Sequence, residues 1–458
     1  VFHGRGLSGT AFAVLALFVL ASPAFADSMN EALESAYENN ADFNAARAQV
    51  RGIDENVPQA LAGYRPVVTG SADAGIERSR SKSAFGIGSS TSYPRGVAIS
   101  VDQPLFLGFR TTNSVKQAKN AVRAAREQLR GVEQDTLLAA VRAFMSVVQA
   151  QVVLNLRTQN IEFLREQVRA ATDRLNVGEG TRTDVAQTNA RLSAGQSDYN
   201  AAAAAVNSAL AVYEQVIGHR PKSLGAADHV DRRLPKTLDE AIARGLAEHP
   251  SILAATFTID VASYNVKVLE GALLPSVTLS GDLSHRDDSG GSGTWSDTAS
   301  LVGRLSVPIY EGGRDSSQVR QAKETLGQRR LELDSARAEV RQLVISAWGT
   351  LDAAKAQVEA AAAQVAAEEL VLSGITEERK VGQRTTLDVL NAQQELLNAR
   401  VTQVQAQHDR VVAAYALLAA VGGLSAQTLG LRVAIYDPTD HYVKVEDKWG
   451  GLRTPDGR

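Results

Sequence analysis

The sequence predicts an α+β membrane protein: a long coiled-coil α-helical barrel carrying four transmembrane β-strands per chain, closed as a twelve-stranded barrel in a homotrimer. Three observations lead there. The chain is an internal tandem duplication, each half holds two strands of membrane-spanning length, and nearly all the remainder is helix of unusual length.

The first element precedes the fold. Arg5 leads into the apolar run Ala11 to Ala21, followed by Ser22, Pro23 and the small-x-small triplet Ala24-Phe25-Ala26. A short positive start, a short apolar core and an A-x-A site make a secretory signal peptide over 1–26, cut after Ala26. No later run reads as a helix of about 20 apolar residues, so the membrane crossing is assigned to β-strands. Formal net charge is −3, which offers nucleic acid no basic surface. The absence of cysteine excludes a cysteine nucleophile, a disulfide framework and a thiolate metal site.

The mature chain is written twice. Glu31-Ala32 returns as Glu240-Ala241, and Pro66-Val-Val-Thr-Gly-Ser-Ala-Asp73 returns as Pro275-Ser-Val-Thr-Leu-Ser-Gly-Asp282 at the same separation. Pro104-Leu-Phe-Leu-Gly-Phe-Arg110 returns as Pro308-Ile-Tyr-Glu-Gly-Gly-Arg314 at a slightly shorter one, which Gln117-Ala-Lys119 and Gln321-Ala-Lys323 share. A single length change between Pro66 and Pro104 marks a loop. The repeat is about 200 residues long, with a first unit at 27–236, a second at 237–430 and an extension at 431–458. The join is the Pro- and charge-rich stretch from His219 to Lys236.

Each repeat opens with helix and then a pair of strands, about 66–78 and 95–105 in the first and about 275–285 and 299–309 in the second. Val97, Ile99 and Val101 alternate with Ala98, Ser100 and Asp102; Val277, Leu279 and Leu283 alternate with Thr278, Ser280 and Asp282. Period-two patterning over about ten residues fits a membrane-spanning strand. Ser79 to Pro94 and Arg286 to Ser296 read as polar, glycine-bearing hairpin loops facing the cell exterior.

After each hairpin comes a long helix. Apolar or small residues recur at spacings of three and four through 110–175 and 314–379, without a proline, so each helix would be about 100 Å long. The remaining helical stretches, 29–61 with 184–216 and 238–271 with 388–420, match that length only when joined. Two short helices stacked end to end beside each long one give a uniform cylinder. Four strands cannot close a barrel in lipid, where an open edge strands unpaired backbone groups. A dimer's eight strands leave no channel; a trimer's twelve do. The polar face carrying Asp73, Ser100, Asp102, Asp282 and Arg304 favours a wet interior, hence the homotrimer.

With duplication, hairpins and long helices in place, the chain resembles the TolC family of outer-membrane efflux and secretion proteins over nearly its whole mature length. The most specific segment is Lys380-Val-Gly-Gln-Arg-Thr-Thr-Leu-Asp-Val-Leu-Asn391, similar to the family's second periplasmic tip; Leu175-Asn-Val-Gly-Glu-Gly-Thr-Arg-Thr-Asp184-Val185 resembles the first. The resemblance implies a Gram-negative outer-membrane duct exporting proteins by type I secretion, drugs by tripartite efflux, or both. It implies a homotrimer in outer-membrane lipid, docked to a periplasmic adaptor and an inner-membrane pump of ABC or RND type. The chain departs from the family's archetype at Arg379, where relatives carry a tyrosine, and at Asn391, where they carry a second acidic residue. A gate using those groups must be built differently here. The extension is expected around the middle of the helical barrel.

The tips hold the candidate site. Asp184, Arg182, Arg384, Asp388, Asn391 and Arg379 are candidate gate residues; Val177, Gly178, Thr181, Val381, Gly382 and Thr385 are candidate docking turns. Thr181-x-x-Asp184 and Thr385-x-x-Asp388 have capping-box form, and Gly178 and Gly382 suit a left-handed helix end. Capping does not account for the two arginines or the flanking apolar residues, which a surface that packs against other chains explains. Arg384 is expected to pair with Asp388 within or between subunits. The seven histidines form no H-E-x-x-H pair, and there is no Walker A loop. The reading is therefore of a non-enzyme without cofactor or metal, whose energy comes from a partner. The competing readings, a periplasmic coiled-coil adaptor and a structural outer-membrane tether, require respectively one hairpin with a lipoyl-like β-domain, and no polar barrel interior.

Overall fold

In the computed structural model, residues 27–84, 86–221, 224–225, 230–289 and 293–457 are described. The expected signal peptide at 1–26 lies outside them, as do Gly290-Gly291-Ser292 of the second hairpin loop. In chain order the elements are α1 (Met29–Asn39), α2 (Ala41–Asp54), α3 (Asn56–Leu61), β1 (Val67–Ala74), β2 (Glu77–Ser83), β3 (Gly86–Ser92), β4 (Arg95–Leu107), α4 (Arg110–Asn176), α5 (Arg182–Ile217), α6 (Leu238–Glu248), α7 (Pro250–Glu270), β5 (Ser276–Asp287), β6 (Trp295–Ser306), α8 (Arg314–Lys380), α9 (Thr386–Ala420), α10 (Ala426–Leu429) and α11 (Thr439–Val445).

The twin helices α4 and α8 are 67 residues each, about 100 Å. Each is followed by a short turn and an antiparallel helix, α5 or α9, that packs along its lower half. The upper halves are covered by α1, α2 and α3 on α4, and by α7 between α4 and α8. The stretch expected as one helix over 29–61 is broken at Asn40, whose extended backbone (φ −61°, ψ 126°) ends α1 and whose side chain caps α2. Its counterpart over 238–271 breaks at His249 before Pro250, because proline disfavours helical backbone in the residue preceding it and starts a helix well.

The hydrophobic core sits at mid-height, where short helices abut end to end. Leu33, Tyr37 and Phe43 meet Leu137, Val141, Phe144 and Val147 of α4, Tyr213 and Ile217 at the end of α5, and Leu417, Leu418 and Leu424 around the end of α9. Ser35 Oγ donates to the Ile217 carbonyl (2.9 Å) and Asn40 Nδ2 to that of Val216 (3.0 Å), so the orphan carbonyls ending α5 are satisfied by α1 and the start of α2. Two helical stretches, within Arg110–Asn176 and Leu238–Leu273, are long and apolar enough to cross a bilayer, against the expectation from sequence. The stretch in α4 holds the centre of this core: Leu137, Val141, Phe144 and Val147 are fully buried.

The strands form a four-stranded antiparallel sheet in the order β1-β4-β5-β6. The register places Thr69, Ser100, Asp282 and Ser300 across one polar row, and Asp102, Ser280 and Val302 across the next. The opposite face carries Ala72, Val97, Ile99, Val101, Leu283 and Leu301, all exposed. Three boundaries differ from expectation, the first being that β1, expected to run to Arg78, ends at Ala74. Strand β6 begins at Trp295 and ends at Ser306, shortening the loop expected over 286–296. The loop expected over Ser79–Pro94 is itself a paired ribbon, β2-β3. Serine- and glycine-rich composition suggested loop, whereas cross-strand backbone pairing formed regardless of side-chain burial.

Residues after Gly430 start at mid-height and climb. Arg432 N–H donates to Glu34, the Tyr436 N–H to the Tyr37 hydroxyl, Lys119 pairs with Glu446 at 2.6 Å, and Arg65 reaches the Lys448 carbonyl just below β1. The extension thus spans from the middle of the helical body to the base of the sheet.

Candidate functional site at the paired helical turns

Both turns are built by the same two devices. At the end of α4 the Glu179 N–H donates to the Arg174 carbonyl (2.8 Å) and the Gly178 N–H to that of Leu175 (3.1 Å). At the end of α8, Gln383 donates to Glu378 (2.9 Å) and Gly382 to Arg379 (3.0 Å). This Schellman pattern needs a left-handed residue, supplied by Gly178 (φ 84°) and Gly382 (φ 81°). The chain then re-enters helix through matched capping boxes. Thr181 Oγ1 accepts from the Asp184 N–H (3.1 Å), and Asp184 Oδ2 accepts from the Thr181 N–H (3.1 Å). Thr385 and Asp388 repeat this at 3.2 and 2.8 Å. The Thr385 hydrogen bonds hold the Asp388 carboxyl below its ordinary value.

The charges around these caps are arranged differently from expectation. Arg384 Nε pairs with Glu378 Oε2 at 2.7 Å, not with Asp388. Arg384, lying before the N-cap, reaches back over the last turn of α8 and acts on Asp388 only through its charge. Glu378 raises the Arg384 guanidinium above its usual range. Arg182, exposed at the start of α5, has no ion-pair partner among the described residues.

Near the tips, two polar contacts tie one helical hairpin to the other. Arg379 Nη1 donates to Gln167 Oε1 of α4 (3.1 Å), and Arg191 Nη2 of α5 donates to Asn391 Oδ1 of α9 (2.9 Å). Arg379 is half-buried with its Nε unsatisfied; burial, then the nearby Arg174, lowers its affinity for the proton. Near the tips, Arg379 and Asn391 are therefore the residues of the second hairpin that make these polar contacts with the first. Gln167, Arg191 and Glu378 were not found from sequence. The positions matching Gln167 and Arg191 in the second repeat are Val371 and Glu395, so comparison of the repeats gave no signal for them. The tips also expose Val177 (71%) and Val381 (73%) to solvent, an apolar pair on a charged surface. Chemically, the site offers two capped turns with surface valines and polar ties between hairpins; no group of three or more metal-ligating side chains occurs among the described residues.

Residues 32–219 and 241–423 match the sequence profile of the outer membrane efflux protein family, so both repeats match separately. The chain is 48% identical to the outer membrane efflux protein BepC of Brucella suis biovar 1 over 436 residues, covering 95% of this chain and 94% of that one. It is 25% identical to the outer membrane protein TolC of Vibrio cholerae serotype O1, covering 92% and 98% of the two chains. The Campylobacter jejuni CmeC outer membrane channel has the same fold, with a TM-score of 0.78 at 18% identity over 92% of this chain and 89% of that one.

Proposed function

The chain belongs to the outer membrane efflux protein family, a family of transport proteins of the Gram-negative outer membrane; from that premise we propose the assembly and gate through which it acts as a channel for efflux and secretion. Three copies share one twelve-stranded barrel, and their helices form one tunnel beneath it. The observation that carries this is the sheet: one face polar, one apolar, with β1 and β6 as open edges. In lipid those edges require partners, and another copy's β6 can pair with β1. The uneven burial of the twin helices also supports a ring. Helix α4 buries 19 of its residues and α8 only 10; α9 buries 14 and α5 only 5. The poorly covered α5 and α8 lie on opposite flanks of a row in which α4 and α9 are central. A head-to-tail ring puts the α8 flank of one copy against the α5 flank of the next. Native mass measurement of detergent-extracted protein should give three copies; a stable monomer would overturn the assembly.

The turns at Val177–Asp184 and Val381–Asp388 converge at the far end of the tunnel, in the periplasm. We assign the exposed Val177 and Val381, with Gly178, Thr181, Gly382 and Thr385, to docking of a periplasmic adaptor that links the channel to an inner-membrane pump of ABC or RND type. Arg182, Arg379, Arg384, Asp184, Asp388 and Asn391 form the resting gate. The ties Arg379–Gln167 and Arg191–Asn391 lock the hairpins of one copy together, while Arg384–Glu378 fixes the turn. A single side-chain hydrogen bond or exposed ion pair is individually weak, so the closed mouth yields to a docking partner. Planar-bilayer conductance tests this: Arg191→Ala and Arg379→Ala should open the resting channel more than Arg384→Ala. Wild-type closure in all three variants would remove these residues from the gate.

A further inference from the structure

The ribbon β2-β3 continues the β1-β4 hairpin without a change of register. Ala74 pairs with Arg95, and Glu77 pairs with Ser92. Residues 75 and 76 on one strand thus face 93 and 94 on the other, and the Gly75 N–H donates to the Pro94 carbonyl at 2.8 Å across the gap. With no residue gained or lost, the alternation of faces runs on from the membrane sheet into the ribbon.

That continuity fixes what each face of the ribbon extends. The apolar, lipid-facing side of the sheet carries Ala72, Ala74, Val97 and Ile99. One alternating step further out come Ile76 and Tyr93, both well exposed; Trp295, opposite Asp287 in the register, stands at the top of the same belt. Beyond them on this face come Arg78, Arg80 and Lys82, cross-strand from Thr91, Ser89 and Ile87. The other face carries Glu77, Ser79 and Ser81. All three cations are exposed, and none has an ion-pair partner among the described residues. The charges at the top of the belt differ in this respect: Arg95 pairs with Asp287 at 3.0 Å and His285 with Asp297 at 2.6 Å. An apolar band, an aromatic boundary and then a row of unpaired cations is the order of groups met on passing from hydrocarbon through the interface to phosphate.

We propose that Arg78, Arg80 and Lys82 form a docking surface for the phosphorylated headgroups of glycolipid in the outer leaflet. Successive cations are about 7 Å apart along the ribbon, so one extended headgroup with more than one phosphate can meet more than one of them. Guanidinium groups bind phosphate through two parallel hydrogen bonds. Annular lipid is thereby held at the channel's outer rim, and the ribbon is kept upright against the membrane surface. The inference rests on the outward orientation of the hairpins in the proposed assembly.

The test uses the full-length protein in lipid nanodiscs, with bis-phosphorylated lipid A and its monophosphorylated form as probes and native mass spectrometry as the readout. Wild-type protein should retain the bis-phosphorylated lipid better than the other, and increasing salt should reduce the difference. At roughly fivefold per cation near an anionic surface, Arg78→Ser/Arg80→Ser/Lys82→Ser should lower retention on the order of a hundredfold. Glu77→Gln, on the opposite face, should leave it unchanged. Equal retention by the triple variant overturns the proposal. So does equally tight binding of a phosphorylated oligosaccharide without acyl chains, which would assign the ribbon to a soluble polyanion. Cell fractionation separates this from the reading beneath it. Protein recovered away from the outer membrane sinks the topology too, whereas outer-membrane protein with salt-insensitive lipid retention sinks the docking surface alone.

Discussion

Asp54 at the end of α2 is fully buried, with Oδ2 3.0 Å from His441 Nδ1 on α11 and Oδ1 unsatisfied. Burial pushes its carboxyl above the ordinary 3.8, against the opposing pull of His441 and Arg126. The docked state therefore holds this proton more tightly than the undocked one. The contribution of Asp54 to docking is fully present below pH 3.8 and is lost as pH rises through the raised value. Hydrogen exchange of the Thr439–Val445 amides, corrected for intrinsic rate, should speed up across that window in the wild type. Asp54→Asn should flatten the dependence. His441→Ala leaves a buried carboxylate without its donor and should loosen the extension by about 1–3 kcal/mol. At the tips the sign is opposite. Asp388 is held below 3.8 by Thr385, so its capping contribution is present above pH 3.8 and fades only as pH falls through the lowered value. Removing the neutral partner, Thr385→Ala, should cost about 1 kcal/mol of helix-end stability, read as faster exchange in the first turn of α9 with no change in the sheet.

At the scale of elements, the two hairpin-to-helix junctions look alike in sequence but carry different loads. Gly108 and Gly312 both have positive φ, 61° and 62°. A Cβ on Gly108 would lie 2.2 Å from the Gly271 carbonyl, whereas one on Gly312 meets nothing within 4 Å. The first junction is where the start of α4 crosses the end of α7, backbone against backbone. Gly312→Ala should cost only the left-handed penalty, about 1–2 kcal/mol. Gly108→Ala adds a backbone clash and should sharply reduce the yield of folded, heat-resistant protein on gel assay. Comparable losses for the two variants would mean that the close approach of α4 and α7 is unimportant. The repeats do not disclose this difference, since Gly-Phe-Arg and Gly-Gly-Arg are matching motifs and only the partner across the gap distinguishes them.

For the whole molecule, the proposed ring makes α5 of one copy a neighbour of α8 in the next. Ala201 on α5 and Ala362 on α8 are exposed, each roughly five turns from its tip. The chain has no cysteine of its own, so Ala201→Cys with Ala362→Cys gives an unambiguous report. Oxidation should produce covalent dimers and trimers that neither single variant forms. Cross-linking confined to one chain would place these helices side by side within a copy and remove the ring geometry. Family membership and the fold do not depend on that outcome; the order of copies around the tunnel does.

The patterning by itself determined the architecture. Period-two alternation, spacings of three and four sustained without proline, and the repeated turn motifs are local signals, because backbone geometry makes strand, helix and cap depend on near neighbours. Hence the long helices end where their glycines and threonines predict, and the polar residues Asp73, Ser100, Asp102, Asp282 and Arg304 share one face of the sheet. The tertiary structure alone decided the pairings between distant segments: Arg384 with Glu378 instead of Asp388, Arg191 with Asn391, Asp54 with His441, and the ribbon inside an expected loop. The reach of a side chain across a helical interface is set by packing and register rather than by its neighbours in sequence. Arg384 lies across the turn from the last helical turn of α8, and that geometry, not the four-residue spacing, gives it Glu378 as its ion-pair partner.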